Sequence, residues 1–132
     1  MTLTYTKKLM KRFKNPKFVK SIKNPDAFGE VGNLKCGDVL HLELKVKENK
    51  IVSIGFKTFG CPSAIASSDV VCELAKGKTL EEAKKITKDE IIKKLGGMPK
   101  MKIHCSILGI QALKKAIENY EKKRGALTAY KN

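Results

Sequence analysis

Two stretches of alternating residues constrain the architecture more than anything else in the chain. VLHLELKV (39–46) and VSIGFKTF (52–59) each place an apolar side chain at every second position, the period of a half-buried strand. Glu48-Asn49-Lys50 lies between them and supplies a hairpin loop. Pairing residues whose numbers sum to 98 sets Leu42 against Phe56, Leu44 against Ile54 and Val46 against Val52, all on one face. A slip of one residue would turn one apolar set to solvent, so the register is strongly specified. Carried to the open end of the hairpin, it brings Asp38 opposite Gly60 and Gly37 opposite Cys61. Cys36, Asp38 and Cys61 are thereby gathered at one end. His41 points away from the apolar face and is expected at or near the surface.

The rest of the chain reads mostly as helix. GCPSAIASSDVVCELAKG follows the second strand, with Pro62 suited to a first helical turn and Gly77 to a C′ position. Ala64, Ile65, Val71, Leu74 and Ala75 are available to bury. Cys61 then falls at the N-cap, where the helix dipole favours a thiolate. Thr79 with Glu82 and Thr87 with Glu90 form two capping boxes that open short helices, the second ended by Gly96-Gly97. Met98 to Lys102 reads as a loop. From Ser106 to about Lys123 a long helix buries Ile107, Ile110, Leu113, Ile117 and Tyr120, so Cys105 also lies at a helix start. Residues 3 to 13 suit a short basic helix ended by Asn15-Pro16, residues 14 to 29 a loop, and Glu30 to Leu34 a short strand.

A chain of 132 residues is expected to form one domain, 1–132, with a basic segment at 1–14 and a frayed tail at 125–132. No run approaches a membrane span and the N-terminus has no apolar leader, which makes the cytoplasm the expected compartment. Four cysteines in a reducing compartment point to metal or sulfur chemistry rather than disulfides. The net charge of +15 raises nucleic acid as a partner. Against it, only Arg12 and Arg124 of the 28 basic residues are arginine, and the lysines are spread along the chain. The exception is Lys7 to Lys23, with eight basic residues and no acid before Asp26. It suits a solvated face or a docking face for an acidic partner better than nucleic acid.

Cys36, Cys61 and Cys105 each sit where a thiolate forms easily, and His104 adjoins one of them. Cys72 lies eleven residues after Cys61 on the same helix, about 16 Å along the axis. Metal–sulfur bonds are near 2.3 Å, so the two cannot share one small site and Cys72 is assigned to the core. Spacing alone stops at a thiolate–carboxylate metal site. No zinc-finger pattern and no CxxC is present.

Seven stretches carry a resemblance to a known family. They are Asn15-Pro16, GEVGN, CGDV, FKTFGC followed by SAIASS, KGKTLEEA and KIHCSIL, in the family's order over roughly residues 5 to 124. The chain resembles the IscU/NifU-type iron–sulfur cluster assembly scaffolds. The resemblance implies an α+β, SufE/NifU-like fold, with a three-stranded antiparallel sheet packed by about five helices. It implies a scaffold rather than an enzyme. A [2Fe-2S] cluster is built from iron and persulfide sulfur supplied by a cysteine desulfurase, then passed to apo iron–sulfur acceptor proteins. Carried over residue by residue, the ligand set is Cys36, Asp38, Cys61, His104 and Cys105, with Lys102 in support and Cys105 as persulfide acceptor. Three thiolates with one carboxylate or imidazole hold a cluster less firmly than four thiolates, which suits release. Either Asp38 or His104 serves as the fourth ligand, and zinc can replace iron in the isolated protein.

Two departures are expected to matter. Pro62 stands where the family usually has glycine. Met98-Pro99-Lys100-Met101-Lys102 replaces the usual Leu-Pro-Pro-Val-Lys, which speaks against docking of the family's chaperone. The second reading is a SufU-like, zinc-dependent sulfur acceptor that stimulates a desulfurase; it is disfavoured by His104 and by the lack of an obvious insertion. The oligomeric state is left open, a homodimer included.

Overall fold

A computed structural model describes residues 5–33 and 38–131. The order of elements is α1 (Lys7–Lys14), β1 (Ala27–Asn33), β2 (Asp38–Lys47), β3 (Lys50–Phe59), α2 (Pro62–Ala75), α3 (Leu80–Lys84), α4 (Lys88–Lys94) and α5 (Ile103–Lys131), with a 3-10 turn at Lys100–Lys102. The three strands form one antiparallel sheet in the order β1-β2-β3. This is the α+β architecture expected from the sequence.

The hairpin keeps the expected register over most of its length, with Leu42 opposite Phe56 and Leu44 opposite Ile54. It departs near the turn. Glu48 and Asn49 both take positive φ (53° and 64°), so the connection is a two-residue turn, with Lys47 facing Lys50. The shorter turn shifts the register between Lys45 and Val46, and Val46 pairs with Ile51, not Val52. Ile51 is buried in Val52's place, while Val52 turns outward and is 43% exposed. A bulge of this kind inserts one residue and reverses the facing of the residues beyond it.

Leu40, Leu42, Leu44, Ile54 and Phe56 form the inner face of the sheet, in one core with Val70, Val71, Ala112, Leu113, Ala116 and Ile117 of α2 and α5. β1 starts earlier than the sequence suggested, at Ala27, and Gly29 explains why α5 can lie so close to it. A Cβ on Gly29 would meet the Ala112 carbonyl oxygen at 2.3 Å.

The segment between α1 and β1, read as loop, is extended where Val19 bridges Phe56 of β3 in parallel, and the Phe18 carbonyl accepts the Phe56 N–H at 2.9 Å. Farther along the same edge, Ile51 N–H donates to the Lys78 carbonyl and Gly77 N–H to that of Ile51.

The local signals around the helices hold. α2 has Cys61 at its N-cap, Pro62 in its first turn and Gly77 at φ +86° just past its end. Both capping boxes form. α5 departs at both ends. It begins at Ile103 rather than Ser106, because Pro99 leads into the 3-10 turn at Lys100–Lys102 and the chain winds directly into the helix. It continues to Lys131 where a frayed tail was expected. One glycine costs a helix only about 1 kcal/mol, and Ala126, Leu127 and Ala129 after Gly125 favour continuation. Among the described residues no helix is long and apolar enough to cross a membrane.

Candidate metal and sulfur site

Cys61 and Cys105 are 44 positions apart in sequence, yet their sulfurs lie 3.5 Å apart. Two helix ends meet here: Cys61 caps the start of α2, and Cys105 lies in the first turn of α5. The helices approach closely because the facing residues are small. Ser67 Oγ donates to the Cys105 carbonyl at 3.2 Å and to that of Ala64 at 3.3 Å, joining α2 to the first turn of α5. A Cβ on Gly109 would stand 3.0 Å from Val71 Cγ2 and 3.4 Å from Ser68 Cα. The string SAIASS thus has a packing role that its resemblance alone does not explain. Ser63, Ser67 and Ser68 are all buried polar residues.

The electrostatics of the pair are uneven. The Cys61 thiol is lowered from 9.0 to about 4. Its hydrogen bond with the Cys105 thiol is the largest cause, and burial opposes it. The Ser63 hydroxyl at 2.9 Å, the Ala64 backbone and the charge of Lys102 lower it further. Cys105 is fully buried at 0% exposure, whereas Cys61 reaches solvent in part. His104 is exposed, and its Nε2 lies 3.6 Å from Cys105 Sγ. Lys102 is half-buried in the turn just before α5.

Among the expected site residues, Cys61, His104 and Cys105 are thus brought to one place, with Lys102 close enough to act on Cys61. Cys36 lies outside the described residues. Asp38 enters as the first residue of β2, opposite Asn33, and its side chain is likewise outside the described residues. Among the described residues no group of three or more histidine, cysteine or acidic side chains closes round one metal-sized point. The two observed spacings nevertheless suit a tetrahedral centre. Bonds of about 2.3 Å to sulfur and 2.0 Å to nitrogen put two thiolates roughly 3.8 Å apart and a thiolate and an imidazole roughly 3.5 Å apart.

Cys72 is separate from this site. It is fully buried in the core, and burial pushes its thiol well above the ordinary value. His41 is partly covered on the outer face of the sheet, between Glu30 (3.1 Å) and Glu43 (3.4 Å) and beside the Phe28 ring.

One structural residue escaped the reading of the sequence. Asp69, in the middle of α2, has no exposed surface. Its carboxylate accepts from Arg12 Nε and from the backbone N–H groups of Lys17 (2.9 Å) and Phe18 (2.7 Å). Arg12 also meets Glu73 at 3.1 Å. An acidic residue followed directly by Val70-Val71-Cys72, in a helix that buries most of its surface, is the signal that could have found it, since such a group requires a partner.

Comparison with known proteins places the chain in a family. The profile of the NifU-like N-terminal domain matches residues 4–126. The iron–sulfur cluster assembly scaffold protein IscU 1 of Archaeoglobus fulgidus is 48% identical over 127 residues, covering 96% of this chain and 83% of that one. Its counterpart IscU from Buchnera aphidicola is 45% identical over 126 residues, covering 92% and 98%. Among solved structures, a protein of Fervidobacterium islandicum described as a candidate cluster assembly scaffold for the SUF system superposes with a TM-score of 0.72 at 27% identity. That superposition covers 86% of this chain and 96% of the other. On a match that spans nearly its whole length, the chain belongs to the NifU-like N-terminal domain family.

Proposed function

We propose that the protein is a scaffold on which [2Fe-2S] clusters are assembled from iron and desulfurase-derived sulfur, then passed to apo-acceptor proteins. Relatives at 45–48% identity are named as iron–sulfur cluster assembly scaffolds, a role that is not enzymatic. The observation that carries the reading to this chain is the Cys61–Cys105 sulfur pair at 3.5 Å, near the spacing of two thiolates on one iron or zinc. The cluster is cargo, and the residues proposed to hold it are Cys36, Asp38, Cys61, His104 and Cys105.

Cys61 enters as a thiolate at neutral pH, so iron need not displace its proton. The imidazole of His104 lies on the exposed side of Cys105, where an incoming acceptor can compete for the metal it holds. A mixed set of thiolates with one weaker ligand gives a cluster that can leave. Cys105 is the proposed site of persulfide delivery, and a cysteine desulfurase is the proposed donor.

The test is anaerobic reconstitution with iron, cysteine and a desulfurase, followed by visible absorption and by iron and sulfide analysis. A brown protein with equal iron and sulfide is expected, and both Cys61→Ala and Cys105→Ala should abolish it. A colourless product, where a control scaffold works, overturns the proposal. A second reading, a zinc-bound sulfur acceptor that stimulates a desulfurase, would use the same thiol pair, whose spacing also suits zinc. Tightly held zinc that persists through desulfurase turnover, with no cluster formed, would select it.

A further inference from the structure

We propose that Cys61 and Cys105 form a resolving pair: a persulfide on either is attacked at its inner sulfur by the other thiol, which closes a Cys61–Cys105 disulfide and expels the outer sulfur as sulfide. The proposal rests on persulfide delivery to this site, as proposed above, and adds a source for the electrons that turn sulfane sulfur into sulfide.

Geometry decides which sulfur is attacked. The two Sγ atoms are 3.5 Å apart, within the range of a near-attack contact. A third sulfur bonded to one of them sits about 2.05 Å away. Placed between the pair, it would be left roughly 1.5 Å from the other cysteine, closer than a sulfur–sulfur bond. The outer sulfur therefore cannot lie on the line between the two thiols. Turned to the far side, it leaves the partner behind the inner sulfur, in line with the S–S bond to be broken. Attack on the outer sulfur, which would only move the persulfide from one cysteine to the other, needs the two cysteine sulfurs to separate to about 4 Å.

Two hydrogen bonds hold the pair in contact. Ser63 Oγ holds the Cys61 sulfur at 2.9 Å, and Ser67 Oγ holds the Cys105 carbonyl at 3.2 Å. Cys61 already touches the Cys105 sulfur, whereas a dissolved thiol must first diffuse to it. The same contact serves in the opposite sense when Cys61 carries the sulfur.

The step balances. One S–S bond breaks and one forms. The outer sulfur leaves as hydrosulfide with the persulfide's own proton when the Cys61 thiolate attacks, and as hydrogen sulfide when the attacker is a protonated thiol that gives up its proton. Each cysteine sulfur gives up one electron, and the sulfane sulfur takes both. No external reductant is consumed until a dithiol reductant reopens the disulfide for the next delivery.

The experiment uses the whole 132-residue chain, metal-free, under anaerobic conditions. It is loaded in one arm by a desulfurase with limiting cysteine and in the other by inorganic polysulfide. Released sulfide is trapped and counted, and the disulfides are mapped by mass spectrometry of unreduced peptides. The expected result is one sulfide for each Cys61–Cys105 disulfide. In Cys61→Ser the persulfide on Cys105 should persist, with sulfide release slower by on the order of a hundredfold, as expected when an intramolecular nucleophile is lost. Cys72→Ala should behave as the parent. A persulfide that persists on the unmutated protein, a persulfide that only changes cysteine, or a disulfide mapped to Cys36 would each overturn the inference while leaving delivery intact. Sulfide and disulfide in the polysulfide arm, without any sulfur accepted from the desulfurase, would support the resolving pair and overturn the delivery on which the proposed function relies.

Discussion

Replacing Asp69 tests how the basic N-terminal segment is held to the rest of the fold. The carboxylate has no exposed surface and accepts from Arg12 and from the Lys17 and Phe18 amides. Asp69→Ala leaves both amides without an acceptor and strands part of the guanidinium charge. Removing one partner of a buried ion pair costs about 3–5 kcal/mol. Arg12 keeps Glu73 at 3.1 Å and is 16% exposed, which places the expected loss toward the lower end, about 3–4 kcal/mol. For a chain of this length that is a fall in Tm of roughly 10–15 °C. Asp69→Asn keeps one acceptor oxygen and should lose about half as much. Arg12→Ala should also cost less than Asp69→Ala, since both amides stay satisfied. Urea unfolding followed by circular dichroism gives the free energies, provided the slope is unchanged. A loss below about 1 kcal/mol for Asp69→Ala would refute the argument that this contact anchors the segment.

Two further outcomes rest on the packing and on the thiol pair. Gly29→Ala puts a methyl group 2.3 Å from the Ala112 carbonyl oxygen and 2.6 Å from the Ala116 nitrogen, so α5 must lift from β1. A loss of about 2–3 kcal/mol is expected in the same unfolding assay, and a neutral result would mean that the helix shifts freely. For Cys61, the folded state favours the thiolate, so its contribution to stability is complete above pH 9 and shrinks as pH falls toward 4. Iodoacetamide labelling of the metal-free protein should therefore stay near its plateau from pH 9 down to about 5 and fall with a midpoint near 4. Cys105→Ala removes the largest cause and should move that midpoint upward. A midpoint near 8 in the parent protein would refute the assignment.

What was legible in the sequence was what local rules decide. Alternation gave the hairpin pairs from Leu42 to Ile54, and Pro62, Gly77, Thr79 and Thr87 gave the helix ends, because each depends on neighbours within a turn or two. The bulge at Val46 escaped because it depends on whether the turn holds two residues or three, and Glu48-Asn49-Lys50 allowed either. The start of α5 escaped because the 3-10 turn after Pro99 looks like loop at the level of residue type. Asp69 and Arg12 are 57 positions apart, and no periodicity links them. The site was legible in part for the same reason. Cys61 and Cys105 were each placed at a helix start, but only the packing of α2 on α5, made close by Ser67 and Gly109, brings the sulfurs together.

The rod that carries Cys61 is clamped at both ends to a single strand. α2 leaves β3 through Gly60 and returns to it where the Gly77 amide meets the Ile51 carbonyl at 2.7 Å. A beam fixed at two points of one support has little freedom to pivot, so Cys61 moves as the sheet moves. The opposite jaw is the first turn of α5, entered through the single-turn lead-in at Lys100–Lys102 and tied back to the rod by Ser67, so any change in the gap between the sulfurs works against that tie.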